Sequence, residues 1–150
     1  MAQAIALAIE NVRAGLGGPF AAVVVKDGAV VASGTNRVTS TNDPTAHAEV
    51  VAIREACRRL GSFQLEGCDL YTTCEPCPMC LGAIYWARPA RVLYAATQRD
   101  AAQFGFDDSF IYQQIQLPHS ERSIPMTRLE SERARDPFLE WEKKTDKTQY

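Results

Sequence analysis

The sequence lacks a long uninterrupted apolar run, an excess of basic residues, internal repeats and low-complexity tracts. Its apolar N-terminal stretch is broken by Glu10 and Arg13, is too short to span a bilayer and has no basic segment of a secretory signal. The 16 Lys and Arg against 18 Asp and Glu leave a net charge of −2, which disfavours a nucleic-acid partner. We therefore expect a cytoplasmic protein with no membrane and no nucleic acid as partner.

The five cysteines are odd in number, and three of them stand at every third position, Cys74, Cys77 and Cys80. In a chain without a secretory signal, such a crowded and odd set favours metal binding over a disulfide framework. The other two, Cys57 and Cys68, fall on apolar faces and are expected to be inert core thiols.

Apolar periodicity predicts helices that alternate with strands. The predicted helices cover 3–15, 46–60, 77–87, 98–104 and a short segment at "DPFLEW", where Asp136 is expected to be the N-cap. The predicted strands are a hairpin in "PFAAVVVKDGAVVASGTN" that turns at Lys26-Asp27-Gly28, then "CDLYTT" and "RVLYAAT". The 150 residues predict one layered α/β domain with an antiparallel hairpin and parallel neighbours behind it. "LPHSERSIP" (117–125) is the candidate linker.

Two helix starts carry the residue types that bind zinc and move protons. His47 lies on the apolar stripe of its predicted helix, and Glu49 lies about 200° round from it. The two side chains can therefore meet only beyond the helix N-terminus. Cys77 and Cys80 share one face at the start of the next helix, where Pro78 is well tolerated and the helix dipole favours thiolates.

His47, Cys77 and Cys80 give zinc three protein ligands and leave the fourth position to water, which is typical of catalytic zinc. Zinc lowers the pKa of that water to about 7, and Glu49 is placed to take its proton. The alternative is a closed structural site, with Cys74 as the fourth ligand. A structural site has no use for Glu49, so the open site is favoured.

"HAE" at 47–49 followed by "PCPMC" at 76–80 is identified as the motif of the cytidine deaminase-like zinc deaminases. The resemblance implies an α/β fold, a three-layer α/β/α sandwich with a five-stranded mixed sheet. Residues 74–112 closely resemble bacterial guanine deaminases, and the match runs from "GGPFAAVVVKDG" to the C-terminal tyrosine. It implies zinc-dependent hydrolysis of guanine, a small purine base, to xanthine and ammonia in purine salvage or catabolism.

The guanine deaminase resemblance also implies residue roles. Asn36 would hold the purine, and Asp108 would be a second proton carrier beside Glu49. The last tyrosine, Tyr150, would close the partner's pocket in a homodimer that exchanges residues 126–150 across the 117–125 hinge. An aromatic side chain such as Phe20 or Trp86 can stack on the base.

Each of these side chains also has a structural interpretation. Asn36 can shape a turn, and Asp107 or Asp108 can cap the segment "SFIY". Phe20 and Trp86 are more often core residues than substrate contacts.

Other functions remain open. They are deamination of adenosine in transfer RNA, of a nucleoside such as guanosine or cytidine, or of an amino-triazine, and a non-enzymatic zinc-stabilised domain. A deaminase of transfer RNA is expected to show a basic face, and the non-enzymatic domain a saturated metal.

Overall fold

The computed structural model describes residues 1–149. The elements in chain order are α1 (Ala2–Arg13), β1 (Ala21–Lys26), β2 (Ala29–Thr35), α2 (Val38–Thr41), α3 (Ala48–Leu60), β3 (Cys68–Cys74), α4 (Pro78–Ala87), β4 (Arg91–Ala96), α5 (Gln98–Gln103), α6 (Ser109–Gln116), a 3₁₀ turn (His119–Glu121) and α7 (Asp136–Lys143). No helix within residues 1–149 combines the length and the apolar character needed to cross a membrane.

The residues cluster as two compact units, although the length predicted one domain. The first unit is Met1–Ser109 and contains the whole sheet, and the second begins at Phe110. Within the second unit, Gln114 accepts a hydrogen bond from the backbone N–H of Ser123 at 2.7 Å, so the chain folds back on α6. The predicted helix at "DPFLEW" is confirmed as α7, but its N-cap is Arg135, and Asp136 is its first helical residue.

The sheet is mixed and has the strand order β2-β1-β3-β4. β1 pairs antiparallel with β2 and with β3, and β3 pairs parallel with β4. The prediction of five strands is wrong for the described residues, which form a sheet of four strands. After β4 the chain enters α5 at once, because Thr97 and Asp100 form a reciprocal capping box, and β4 stays at the edge of the sheet.

The hairpin predicted at Lys26-Asp27-Gly28 is confirmed. Asp27 and Gly28 both have positive φ, 50° and 78°, as a two-residue turn between twisted strands requires. The short helices α2 and α6 were not predicted. In α2 the segment "VTST" is rich in β-branched residues, whose intrinsic preference is for strands.

Helices cover both faces of the sheet. Ala22 and Val24 of β1 point to one face, where they join a buried cluster with α3 and α4. Their neighbours Ala21 and Val23 are buried outside that cluster, on the face that α1 contacts. The main core therefore lies between the sheet and the α3–α4 pair, and the starts of these two helices carry the candidate ligands.

Gly34 of β2 allows α3 to approach the sheet closely. A Cβ atom built at Gly34 would overlap the backbone of Ala48 and Ala52 in α3. The residues of α3 that face the sheet are small, with Ala48, Ala52 and Ala56 fully buried. This contact sets the height of α3 above the sheet and with it the position of the helix start.

We expect Gly34→Ala to lower the free energy of unfolding by about 2 kcal/mol or more, because neither backbone can yield without moving the helix. Gly82→Ala is the matched control, since Gly82 lies in α4 with open space where its Cβ would be. The control should leave stability unchanged or raise it by up to about 1 kcal/mol. Urea unfolding of both variants measures the difference, and equal midpoints would contradict the close-approach argument.

Candidate active site

The sequence predicted His47 on the buried stripe of a helix, and this prediction is wrong. His47 is the N-cap of α3. Its backbone is extended, with φ −68° and ψ 153°, and the residue is half-buried. Glu49 lies two residues later, in the first turn of α3, and is only 6% exposed. Because the chain changes from extended to helical between them, both side chains reach the same point beyond the helix start. Nδ1 of His47 and Oε2 of Glu49 each lie 3.5 Å from Sγ of Cys80.

Cys77 occupies the same position on α4 that His47 occupies on α3. It is the N-cap, with φ −65° and ψ 167°, and Pro78 follows as the first helical residue. The missing N–H of Pro78 costs nothing there, because the first N–H groups of a helix have no intrahelical partner. Cys80 lies in the first turn and is fully buried. Sγ of Cys77 lies 3.5 Å from Nδ1 of His47.

The geometry of these three side chains fits zinc. Their ligand atoms all lie within 4.8 Å of one another. A tetrahedral zinc with bonds of about 2.3 Å to sulfur and about 2.0 Å to nitrogen separates those two atoms by roughly 3.5 Å. Both sulfur–nitrogen separations have that value. One imidazole and two thiolates are also the borderline-soft donors that zinc prefers.

Cys74 is close to this group but is not part of it. Its thiol is buried and donates to the carbonyl of Thr97 at 3.7 Å. Burial raises its pKa to about 11, and the carboxylates of Glu49 and Asp108 act in the same direction. A neutral thiol with another partner is a poor zinc ligand. Within residues 1–149, the cluster therefore offers three protein ligands, as the open site predicts.

The two thiols of the group have opposite tendencies. The pKa of Cys77 is lowered to about 4, chiefly because the Cys80 thiol donates a hydrogen bond to it, with a further contribution from His47. The pKa of Cys80 is raised, because it is the donor in that hydrogen bond and is buried. Zinc binds the thiolate form of cysteine, so the thiol of Cys80 must also release its proton when the metal binds.

Glu49 is a buried carboxylate, and burial raises its pKa. Its Oε1 accepts a hydrogen bond from Oγ1 of Thr72 at 3.1 Å. A carboxylate with a raised pKa is suited to accept a proton and release it again.

The sequence interpretation missed Thr72. Residues 68, 70, 72 and 74 of β3 all point inward and are buried, and Thr72 is the polar member among apolar side chains and thiols. A polar residue at an inward strand position that directly precedes the metal-binding loop is the signal that would have found it.

Asn36 is buried, and its side-chain oxygen has a structural task. Oδ1 accepts from the backbone N–H of Gly18 at 3.1 Å and from that of Val38 at 3.3 Å. The side-chain amide of Asn11 donates to the backbone carbonyl of Asn36 at 2.9 Å. Asn36 thus shapes the loop that follows β2, as its structural interpretation states. These bonds occupy the oxygen and fix the plane of the amide.

Phe20 lies beside an aromatic residue that the sequence interpretation did not consider. The rings of Phe20 and Phe106 have centroids 4.9 Å apart and planes at 87°, an edge-to-face pair. Phe106 belongs to the loop after α5, two residues before Asp108. The pair therefore joins the start of β1 to the loop that carries the second candidate acid.

The two neighbouring aspartates have different environments. Asp107 is exposed, and its Oδ1 accepts from the backbone N–H of Ser109 at 2.9 Å, at the start of α6. This hydrogen bond lowers its pKa. Asp108 is half-buried and accepts from the side-chain amide of Gln98. Asp107 is thus bonded to the start of α6, whereas Asp108 is bonded to Gln98 at the start of α5.

Trp86 lies at the far end of α4 from the metal-binding group. Trp86 is 64% exposed and is the ninth residue of α4, roughly 12 Å along the helix from Pro78. Its predicted role as a stacking surface stays a prediction. Tyr150 lies outside the described residues.

The chain resembles known deaminases along its length. It is 59% identical over 148 residues to guanine deaminase of Bacillus subtilis, covering 99% of this chain and 95% of the relative. The crystal structure of guanine deaminase from B. subtilis superposes with a TM-score of 0.97 and covers 99% of this chain and 94% of that one.

Two other relatives are less similar. A solved structure of guanine deaminase from Nitrosomonas europaea is 37% identical with a TM-score of 0.68, covering 71% of this chain and 62% of that one. The tRNA-specific adenosine deaminase of Aquifex aeolicus is 47% identical over 81 residues, 54% of either chain.

Residues 1–96 match the family described as the cytidine and deoxycytidylate deaminase zinc-binding region. This match contains β1 to β4 and both helix starts of the candidate site. The chain therefore belongs to the zinc-dependent cytidine and deoxycytidylate deaminase family.

Proposed function

We propose that the protein hydrolyses guanine to xanthine and ammonia, with one zinc ion held by His47, Cys77 and Cys80. The observation that carries the substrate assignment is the similarity to a guanine deaminase over 99% of this chain. The family's zinc-binding region ends at residue 96, whereas Asp108 lies beyond it. The similarity to the tRNA deaminase covers 54% of this chain.

The donor set determines what the metal can supply. When bound, zinc provides a hydroxide at neutral pH, because it lowers the pKa of water to about 7. Three protein ligands leave the fourth position open for that water. Cys74, which is neutral and bonded to Thr97, does not close the site.

The amine of guanine is on C2, between two ring nitrogens. Addition of hydroxide to C2 places electrons on a ring nitrogen, which must receive a proton. The amine leaves as ammonia only after it also receives a proton. Glu49, buried and bonded to Thr72, is the residue that carries these protons.

The remaining residues orient the base. The amide plane of Asn36 is fixed by Gly18 and Val38, so its NH₂ group has a defined direction for recognition of the purine edge. Phe20 provides an aromatic surface for the ring, fixed by its contact with Phe106. Asp108 acts as a second acid that serves the additional tautomer of a purine.

A substrate panel tests the function directly. Ammonia release is measured with guanine, adenine, cytosine, guanosine, cytidine, an amino-triazine and transfer RNA. Guanine should be the preferred substrate, by at least roughly 100-fold in kcat/KM over the nucleosides, because a site that closes over a free base excludes a ribose. Preferred turnover of transfer RNA or of a nucleoside would overturn the substrate assignment.

Glu49→Gln should retain one zinc per chain and lower kcat roughly 10²- to 10⁴-fold, because Glu49 moves protons but does not bind the metal. Zinc content is measured by atomic spectroscopy, together with the rate of ammonia release from guanine.

Two cysteine variants complete this comparison. Cys80→Ser should lose zinc and activity together, whereas Cys74→Ser should keep zinc. Near-normal turnover of Glu49→Gln would remove Glu49 from the mechanism, and loss of zinc in Cys74→Ser would favour the closed site.

Asp108→Asn should lower kcat for guanine at least roughly 10-fold more than Asp107→Asn does, because Asp107 is exposed and bonded to the start of α6. Asp107→Asn should act only on stability and only weakly, because asparagine can still accept from Ser109 and loses just the negative charge at the start of α6. Steady-state kinetics and thermal unfolding of both variants separate the two effects. A larger kinetic defect in Asp107→Asn would show that the other carboxylate is the acid.

We also propose that the protein is a homodimer whose subunits exchange residues 126–150, so that Tyr150 closes the partner's site. In support, α7 of the second unit exposes large apolar side chains, with Phe138 74% and Trp141 41% exposed. An amphipathic helix with such a face favours burial against another surface. Exchange of an identical segment is a low-cost route to a dimer.

Removing residues 147–150 should leave folding and zinc content intact and abolish most of the activity. Mixing this truncated chain with full-length Glu49→Gln chains, followed by co-refolding, should restore part of the turnover. In such a heterodimer, the truncated chain supplies an active zinc site with Glu49, and the Glu49→Gln chain supplies the intact tail that closes it. If heterodimers form without recovery of turnover, each tail serves its own chain.

A further inference from the structure

A series of hydrogen bonds connects the metal-binding loop to Asp108. Oε2 of Glu75, two residues before Cys77, accepts from the backbone N–H of Gln98 at 3.0 Å. The backbone N–H of Glu75 donates to the carbonyl of Ala96 at 2.9 Å, which holds Glu75 against the end of β4. The side-chain amide of Gln98 then donates to Oδ1 of Asp108. Gln98 thus contacts both the segment that precedes a candidate ligand and the candidate acid.

The side chain of Gln98 is not needed to start its helix. Thr97 is the N-cap of α5, and the side chain of Asp100 accepts from its backbone N–H in a capping box. The backbone N–H of Gln98, which has no intrahelical partner, is satisfied by Glu75. The side-chain amide therefore stabilises something other than the helix start, and its partner is Asp108.

The loop that carries Asp108 has few apolar anchors. Phe104, at the end of α5, is 79% exposed, and Gly105 has a φ of 87°. Phe106 is held by the edge-to-face contact with Phe20. A carboxylate on such a loop can populate several rotamers, and proton transfer is efficient only from the one that places its oxygen within hydrogen-bond reach of the substrate.

Gln98 has the chemistry that this task requires. An amide N–H donor orients a carboxylate without placing a second charge beside it. A carboxylate has two oxygens, so a donor that holds Oδ1 leaves Oδ2 able to exchange a proton with a substrate. Glu75 follows Cys74 directly and binds Gln98, and Gln98 binds Asp108, so two hydrogen bonds link Asp108 to the loop after β3. Besides burial, the carboxylate of Asp108 raises the pKa of Cys74, as that of Glu49 does.

We propose that Gln98 is a positioning residue for purine deamination: it ties the Asp108 carboxylate, through Glu75, to the loop that carries Cys77. The inference rests on the proposed function, because Gln98 acts here through the second acid. It predicts that Gln98 affects kcat for guanine more than KM, since the amide holds a proton carrier and does not contact the base.

The test is a double-mutant cycle on the full-length zinc-loaded protein. Gln98→Met keeps the length of the side chain and removes the donor, Asp108→Asn removes the acid, and the third variant combines the two. Gln98→Met should lower kcat for guanine roughly 10- to 100-fold, the loss expected when a hydrogen bond to a charged group is removed. In the Asp108→Asn background the same change should cost less than about 3-fold, because the acid that Gln98 orients is gone.

Two further variants separate positioning from folding. Gln103→Ala, on the same helix and exposed, is the matched control and should leave kcat, KM and zinc content unchanged. Gln98→Glu keeps the shape and removes the donor, so it should reproduce the kcat defect of Gln98→Met with one zinc per chain. Thermal unfolding and zinc content are measured for every variant.

The outcomes distinguish the two proposals. If Asp108→Asn turns over guanine normally, the second acid, and with it this part of the proposed function, is wrong. If Asp108→Asn is impaired while Gln98→Met and Gln98→Glu are normal, only the role of Gln98 is wrong. Equal losses from Gln98→Met in both backgrounds, or a loss that follows zinc content or stability, would likewise assign Gln98 a structural role. A kcat defect that disappears in the Asp108→Asn background supports positioning.

Discussion

The close packing of α3 on the sheet is the constraint on which the candidate site depends. Gly34 removes the side chain that would hold the helix away from β2, and Ala48 and Ala52 give α3 a flat inner face. The start of α3 is therefore fixed in height, and the extended N-cap residue His47 is directed toward the start of α4. A displacement of one helix by a fraction of an ångström would already change the 3.5 Å separations between His47 and the two cysteines.

In the proposed function, the same helix start separates metal binding from proton transfer. His47 is outside the helix and half-buried, whereas Glu49 is inside its first turn and enclosed by β3 through Thr72. Burial raises the pKa of Glu49, and contact with Thr72 restricts its rotation. His47 and Glu49 are two positions apart and have different environments, because one precedes and the other follows the change from extended to helical backbone.

In the proposed function, the family fold and the choice of substrate depend on different parts of the chain. The zinc-binding region that defines the family ends with β4 at residue 96. The residues that distinguish a purine base in our proposal include Asp108, which lies in the loop between α5 and α6. Gln98 binds Asp108 of that loop, and Phe106 of the loop contacts Phe20 at the start of β1. These two contacts connect the loop to the framework of strands and helix starts. Substrate choice can therefore vary while the metal-binding core stays the same.

The sequence alone determined the local features of this protein. The 3.6-residue and two-residue periodicities predicted α1, α3, α4, α5 and the four strands, and Asp27-Gly28 predicted the hairpin, because these signals depend on neighbouring residues. The pairing of His-x-Glu with Pro-Cys-x-x-Cys predicted the candidate metal ligands for a similar reason, since each pair lies within one helix start.

Tertiary structure decided what the local patterns do not contain. The fifth strand expected from the resemblance is replaced by helices within the described residues. The different environments of Asp107 and Asp108 depend on how the α5–α6 loop is placed. Thr72 and Gln98 contact their carboxylates only after β3 and α5 are in place. Such contacts join residues 10 or 23 positions apart, and no period or motif in the sequence specifies them, because they are set by how elements pack.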